Sequence, residues 1–204
     1  MIKKTKAAWP HVRDIGEAKK NKLLRAMAEE LEAETETILS CNREDIADAK
    51  PKMSAVMLDR LMLNAERIHQ MAEGIRAIAE LEDHTGRILD RTERPNGMII
   101  TKKQVPLGLV AIIYESRPNV TSDAAALTLK SGNVCMLRCG KEAYRSAHAI
   151  VKALKEGITA AGGDADIINI TEDISHQSAA DIMTAKGLVD LLIPRGGAGL
   201  IRTC

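Results

Sequence analysis

The fold is decided by residues 105–142, which read VPLGLVAIIYESRPNVTSDAAALTLKSGNVCMLRCGKE. Within this stretch, residues 109–113 form an unbroken apolar run, which is typical of a strand buried on both faces of a parallel sheet. A polar loop follows, in which Pro118 disfavours the helical conformation at Arg117. The stretch therefore predicts a strand, a loop, a helix, a second strand and the start of another helix.

The predicted helix and second strand complete this unit. Thr121 or Ser122 is the expected helix cap, Asp123 lies in the first turn, and Gly132 ends the helix. Residues 133–137 are the second apolar strand. Polar and basic residues follow both strands, and the carboxyl ends of strands are where an open α/β sheet usually holds its ligand. The alternative is that these are the ordinary polar loops of any α/β protein.

The segments before this unit read as helices and then a hairpin. Residues 16–82 show helical spacing of apolar residues. Their boundary signals are a start at Asn42 with Asp45, a break at Pro51, and caps at Ser54 and Asn64. Two strand-like runs, 86–91 and 98–105, flank an Asn-Gly turn and predict a β-hairpin. Because an isolated hairpin is marginal in water, it should pack against another element or another subunit.

The segments after this unit continue the alternation of helix and strand. Helices are predicted over 143–161 and 175–186, and strands over 166–170 and 188–193. This alternation indicates right-handed βαβ units and a mainly parallel sheet. The last strand runs into the glycine-rich residues 194–199. Their backbone N–H groups could hold a phosphate, although an ordinary turn explains the sequence equally well.

Composition excludes several classes of function. The 204 residues include 29 Lys and Arg against 28 Asp and Glu, and this balance argues against binding to nucleic acid or to an anionic membrane. The cysteines lack zinc-ligand spacing, so no metal site is predicted: Cys41, Cys135, Cys139 and Cys204. Scattered, reduced thiols and the absence of a long apolar segment or signal peptide predict a soluble, cytoplasmic protein.

Residues 105–142 closely resemble the signature region of the gamma-glutamyl phosphate reductases, members of the aldehyde dehydrogenase superfamily. The resemblance also covers two further segments. RTERPNGMIITKKQVPLG precedes this region and overlaps its start, and GLVDLLIPRGGAGLI lies near the end of the chain. It implies a cytoplasmic enzyme of proline biosynthesis that reduces L-glutamyl 5-phosphate to glutamate 5-semialdehyde and releases phosphate, with NADPH as hydride donor. The small-molecule substrate and a homo-oligomeric state of the full-length form follow from the same likeness.

The resemblance also implies where the nucleotide binds, across the carboxyl ends of the strands and without the usual glycine fingerprint. The nicotinamide and pyrophosphate side would be lined by Tyr114, Glu115, Ser116, Arg117 and Pro118. The pyrophosphate would also meet Arg195, Gly196, Gly197 and Ala198. Arg138 and Lys141 would face the adenosine ribose, where two cations suit the 2'-phosphate of NADP(H). The alternative for these two cations is a solvated pair beside Glu142.

The resemblance implies thiolate catalysis, in which a cysteine attacks the acyl phosphate and holds a thioester. In this family that cysteine belongs to a second domain, so none of the four cysteines matches it by position, and no catalytic residue is assigned in this chain. The predicted fold is a truncated aldehyde-dehydrogenase-like α/β structure with a helical region (1–84), a hairpin for packing or oligomerisation (85–107) and an incomplete NADP-binding sheet (108–204). The alternative function is a non-catalytic nucleotide-binding or oligomerising fragment, and a hydrolase is disfavoured because G-x-S-x-G is absent.

Overall fold

The structure of the protein is a computed structural model, which describes residues 1–203. The helices are α1 (Ile2–Ala7), α2 (Pro10–Arg13), α3 (Glu17–Ala33), α4 (Thr35–Ala49), α5 (Ala55–Leu61), α6 (Ala65–Ala79), α7 (Asn119–Lys130), α8 (Tyr144–Ala160), α9 (His176–Met183) and α10 (Ala198–Thr203). The strands are β1 (Ile88–Glu93), β2 (Ile99–Lys103), β3 (Leu109–Tyr114), β4 (Val134–Arg138), β5 (Ile168–Ile170) and β6 (Leu191–Arg195).

A four-stranded parallel sheet in the order β5-β4-β3-β6 forms the centre of the fold. Every residue of β3 is buried, as the unbroken apolar run predicts. Helices α7 and α8 pack against the sheet, and α3 packs against both of them and against α6. The predicted α/β class with a helical amino-terminal region and a mainly parallel sheet is therefore confirmed. Among the described residues, no helix combines the length and apolar character needed to cross a membrane.

The two strands β1 and β2 form the predicted antiparallel hairpin, separate from the parallel sheet. Gly97 closes the turn with a φ of +80°, a conformation that glycine adopts without strain. All residues of both strands are exposed, including several large apolar side chains: Ile88, Leu89, Ile99 and Ile100. The hairpin therefore presents an apolar surface to the outside of this chain.

Two predicted helix starts are wrong. Helix α7 begins at Asn119 with Pro118 before it, so Thr121 and Ser122 lie inside the helix and do not cap it. The Ser122 hydroxyl instead donates a hydrogen bond to the Asn119 carbonyl, at 2.9 Å. The predicted caps at Ser54 and Asn64 are confirmed: their side chains accept hydrogen bonds from the backbone three residues later.

The second wrong start concerns Asn42 and Asp45, which lie within α4 and are buried. Asp45 accepts hydrogen bonds from the backbone N–H and the hydroxyl of Ser146, at 2.8 and 2.6 Å. Asn42 donates to the Leu61 carbonyl and to the Ser146 hydroxyl. These polar side chains therefore join α4 to the first turn of α8 and to the end of α5, and a tertiary contact explains residues that looked like a helix signal.

Candidate functional site

The chain path creates a crevice between β3 and β6. The chain moves outward from β3 to β4 and β5 and then returns to place β6 on the other side of β3. Loops that leave β3 and β6 at their carboxyl ends therefore diverge, which is the arrangement that opens a binding crevice in α/β sheets. The last register pair of the two strands is Tyr114 with Arg195, directly below this crevice.

A cleft of about 360 Å³ lies at this position and is called the edge cleft below. Its lining comes from the last residues of β3 and β6, from the loops that follow them, from α5 and from the first turn of α7: Met57, Arg60, Tyr114, Glu115, Ser116, Arg117, Val120, Arg195, Gly196 and Gly197. Seven of the eleven cofactor-binding residues predicted from the sequence therefore line a single cleft. The other four, Pro118, Arg138, Lys141 and Ala198, lie outside this lining.

The glycine-rich turn after β6 already holds a carboxylate. The Gly197 N–H donates a hydrogen bond of 3.1 Å to Oε1 of Glu115, which follows β3. A Cβ at Gly196 would lie 2.6 Å from the Glu115 carboxyl carbon, so a larger residue here would displace the Glu115 side chain from this position. An anion can therefore sit against the backbone of this turn, and the Glu115 carboxylate is the group that does so in this structure.

Three arginines around the edge cleft have no hydrogen-bonding or ion-pair partner among the described residues. Arg117 follows β3 and Arg195 ends β6, and both were predicted as site residues. Arg60 comes from α5, and sequence reasoning missed it because nothing local marks a helix-surface arginine as a ligand. Unpaired guanidinium groups around one cleft are suited to bind phosphate or carboxylate groups.

Tyr114, Ser116 and Val120 are the buried members of the lining. Tyr114 is 1 % exposed and shares a 2.6 Å hydrogen bond with the Thr121 hydroxyl. Burial raises the pKa of the Tyr114 hydroxyl well above its ordinary value, so this group stays protonated. Pro118 is buried where α7 begins, and Ala198 is exposed at the start of α10. Tyr114 and Ser116 therefore form part of the cleft wall, whereas Pro118 and Ala198 lie next to lining residues in the sequence.

The two predicted ribose-site cations lie at the end of β4 and differ in their surroundings. Arg138 donates hydrogen bonds to the backbone carbonyls of Ile174 and Ser175, at 2.9 and 3.2 Å. Both bonds come from one nitrogen, Nη2, and the role of Arg138 at the ribose site stays a prediction. Lys141 is exposed and forms no ion pair with the residues that the structure describes. It remains available to a ligand, whereas Arg138 already fastens the loop before α9.

The end of β4 is in contact with the end of β3. A Cβ at Gly140 would lie 3.4 Å from both the carbonyl carbon and the Cα of Glu115. The residue that precedes Lys141 therefore packs on the backbone of the edge cleft. A ligand that extends from the cleft along the carboxyl edge of the sheet reaches Lys141 next.

The described cysteines are not suited to act as nucleophiles. Cys135 and Cys139 are buried, and burial raises the pKa of each thiol to about 12. Burial also raises the pKa of the half-buried Cys41 thiol. Cys204, for which the sequence likewise predicts no catalytic role, lies outside the described residues. Buried, protonated thiols are poor nucleophiles, and the assignment of no catalytic residue to this chain stays a prediction.

Comparison with known proteins agrees with this arrangement. The family model described as "Aldehyde dehydrogenase family" matches residues 1–197. A gamma-glutamyl phosphate reductase of Streptococcus pneumoniae (strain Hungary19A-6) is 53% identical over 200 residues, which are 98% of this chain and 48% of the relative. The chain thus spans about half the length of the curated relatives that it matches.

Solved structures give the same result. The gamma-glutamyl phosphate reductase of Thermotoga maritima superposes with a TM-score of 0.97 at 35% identity, covering 99% of this chain and 49% of that one. The gamma-glutamyl phosphate reductase of Saccharomyces cerevisiae superposes with a TM-score of 0.89 at 27% identity, covering 99% and 52%. With a family model that matches nearly its whole length, this chain belongs to the aldehyde dehydrogenase family.

Proposed function

We propose that the full-length protein reduces L-glutamyl 5-phosphate to L-glutamate 5-semialdehyde with release of phosphate, in the cytoplasm, and that the edge cleft of this chain binds NADP(H). The observation that carries this proposal is the glycine-rich turn, where the Gly197 N–H holds a carboxylate beside the unpaired Arg117 and Arg195. A backbone donor next to guanidinium groups fits a pyrophosphate. The names of the similar proteins supply the reaction and its substrate.

This proposal assigns separate residues to the pyrophosphate, the nicotinamide and the 2'-phosphate of the nucleotide. Arg195, Gly196 and Gly197 would hold the pyrophosphate, which would replace the Glu115 carboxylate on the turn. The residues after β3, Glu115 to Pro118, would flank the nicotinamide, and the bound nucleotide would supply the hydride. Lys141 would pair with the 2'-phosphate that distinguishes NADPH from NADH, because its ammonium is exposed and unpaired among the described residues.

The reaction is tested most simply in the reverse direction with the full-length protein. Glutamate 5-semialdehyde, phosphate and NADP⁺ should together give glutamyl 5-phosphate, NADPH and a proton, followed by the absorbance of NADPH. We expect NADPH to form only when both the aldehyde and phosphate are present. NADPH formation that does not depend on phosphate would contradict an acyl phosphate as the substrate of the forward reaction.

The choice of cofactor is tested by Lys141→Glu, with Lys152→Glu as the matched control. Lys141→Glu puts a carboxylate beside the 2'-phosphate, and the dissociation constant for NADPH should rise by about tenfold or more while that for NADH changes little. Lys152 is an exposed lysine on α8 that pairs with Glu156, and its replacement should leave both constants unchanged. Equal weakening of NADPH and NADH binding by Lys141→Glu would remove the proposed role.

We also propose that the chain is organised into a helical part of the cofactor region (1–84), a hairpin (85–107) and the nucleotide-binding sheet (108–204), and that the hairpin joins copies of the protein in a homo-oligomer. Support comes from Ile99 and Ile100, which are about half exposed on a strand that has only β1 as a partner strand among the described residues. Replacing both isoleucines by Lys in the full-length protein should reduce the mass of the assembly that sedimentation measures. An unchanged mass would contradict this role of the hairpin.

A further inference from the structure

A second cleft opens next to the edge cleft, between α5, α6 and the start of α7. It measures about 390 Å³, and we call it the α5–α7 cleft. It shares Arg60 and Arg117 with the edge cleft, so the two are neighbouring spaces joined at these two guanidinium groups. A ligand in the edge cleft can therefore extend into the α5–α7 cleft without leaving the protein surface.

The charged side chains of the α5–α7 cleft fall into two groups. Arg67 and Asp59 satisfy each other: the Arg67 guanidinium donates to the Asp59 carboxylate at 2.9 Å and also to two backbone carbonyls. Arg60, Arg117 and Asp123 have no ion-pair or hydrogen-bonding partner for their side chains among the described residues. The cleft thus offers two free cations and one free anion.

Asp123 is the most constrained of these groups. It lies in α7 and is half-buried, and its Oδ1 is 4.0 Å from the position that a Cβ would take at Gly74 of α6. Burial raises the pKa of its carboxyl group, while the charge of Arg195 acts in the opposite direction. A half-buried carboxylate without a partner is costly unless a ligand supplies a positive charge. The Asp123 carboxylate therefore lacks a direct cationic partner among the described residues, and the positive charge of a ligand would supply one.

We propose that the α5–α7 cleft binds the α-amino acid end of the substrate, with Asp123 pairing with the α-ammonium group and Arg60 pairing with the α-carboxylate. This inference rests on the proposed function, and it assigns the specificity for the amino acid moiety. An α-amino acid head group carries one cation and one anion on the same carbon atom, which matches a carboxylate and a guanidinium group that line one cleft. The phosphate end of the substrate then points into the edge cleft.

The test uses the full-length enzyme, NADP⁺, phosphate and three aldehydes. Glutamate 5-semialdehyde carries both head-group charges, 5-oxopentanoate lacks the ammonium group, and 4-aminobutanal lacks the carboxylate. Asp123→Asn should raise KM by about 10- to 100-fold for the two ammonium-bearing aldehydes and leave that for 5-oxopentanoate unchanged. Arg60→Gln should raise KM similarly for the two carboxylate-bearing aldehydes and leave that for 4-aminobutanal unchanged.

Matched controls are Asp181→Asn and Arg43→Gln, which change exposed residues on α9 and α4 and should leave all three KM values unchanged. Equal effects of Asp123→Asn on aldehydes with and without the ammonium group overturn the inference, and so do equal effects of Arg60→Gln on aldehydes with and without the carboxylate. In both cases the proposed function stands, because the wild-type enzyme still reduces NADP⁺. A wild-type enzyme that oxidises none of the three aldehydes overturns the proposed function and this inference with it.

Discussion

Asp45 is the residue whose replacement should affect the stability of this fold most clearly. Its side chain is 2 % exposed and accepts two short hydrogen bonds from Ser146, one from the backbone N–H at 2.8 Å and one from the hydroxyl at 2.6 Å. It also accepts a longer bond from the Arg145 N–H at 3.3 Å. Asp45 therefore satisfies the first turn of α8 from a different helix.

The magnitude follows from the donors that Asp45→Ala leaves without an acceptor. A buried donor without a partner costs about 1–3 kcal/mol. The two buried donors are the backbone N–H and the hydroxyl of Ser146, so the loss of both gives about 2–6 kcal/mol. Removing a buried carboxylate relieves part of its desolvation, so we expect a net loss of about 2–4 kcal/mol in the free energy of unfolding. For a chain of this size, that loss corresponds to a decrease in Tm of roughly 5–15 °C.

Thermal unfolding followed by circular dichroism, together with urea denaturation, measures this loss. Asp48→Ala is the matched control, because Asp48 lies on the same helix but is exposed and pairs only with the exposed part of Arg145. An exposed pair is worth less than about 1 kcal/mol. Asp45→Asn should fall between the wild type and Asp45→Ala because one oxygen remains to accept from Ser146. Equal losses for Asp45→Ala and Asp48→Ala would refute the reasoning.

Two further predictions concern packing. A Cβ at Gly157 would lie 2.4 Å from the Ala26 carbonyl oxygen, so Gly157→Ala should push α8 from α3 and cost about 1–3 kcal/mol in urea denaturation. At Gly74, in the middle of α6, a Cβ would have no atom closer than 4.0 Å, so Gly74→Ala should raise the free energy of unfolding by about 0.5–1 kcal/mol. A change of the same sign in the two variants would contradict this account. Burial raises the pKa of the Cys135 and Cys139 thiols to about 12, so both should resist alkylation near neutral pH until urea unfolds the chain. Rapid labelling of either thiol in the native protein would contradict this prediction.

The central sheet and the hairpin could be predicted because their signals are local. The unbroken apolar run of β3 predicts a strand that is buried on both faces of a parallel sheet. The Asn-Gly pair that ends at Gly97 predicts a tight turn between two strand-like runs. The side chains of Ser54 and Asn64 cap helices within the same turn of backbone, so sequence alone identified them. Where a residue satisfies its own neighbours, the sequence is sufficient.

The predictions that were wrong or missing concern residues whose partners lie far away in the sequence. Asn42 and Asp45 have the residue types of a helix start, but their partners are far away in sequence, on α8 and at the end of α5. Arg60 reaches the edge cleft only because α5 is carried there by the packing of the helical region. In each case a long-range contact decides the role of the residue.

The measurement that tests the central claim most directly is amide hydrogen exchange of this chain with and without saturating NADPH. The account predicts that NADPH protects two short segments, Glu115 to Arg117 after β3 and Gly196 to Ala198 after β6, while exchange in the hairpin is unchanged. The Gly197 N–H should be among the protected amides because the pyrophosphate would replace the Glu115 carboxylate there. Protection at the amino-terminal edge of the sheet, or no protection of these two segments when NADPH is bound, would contradict the account.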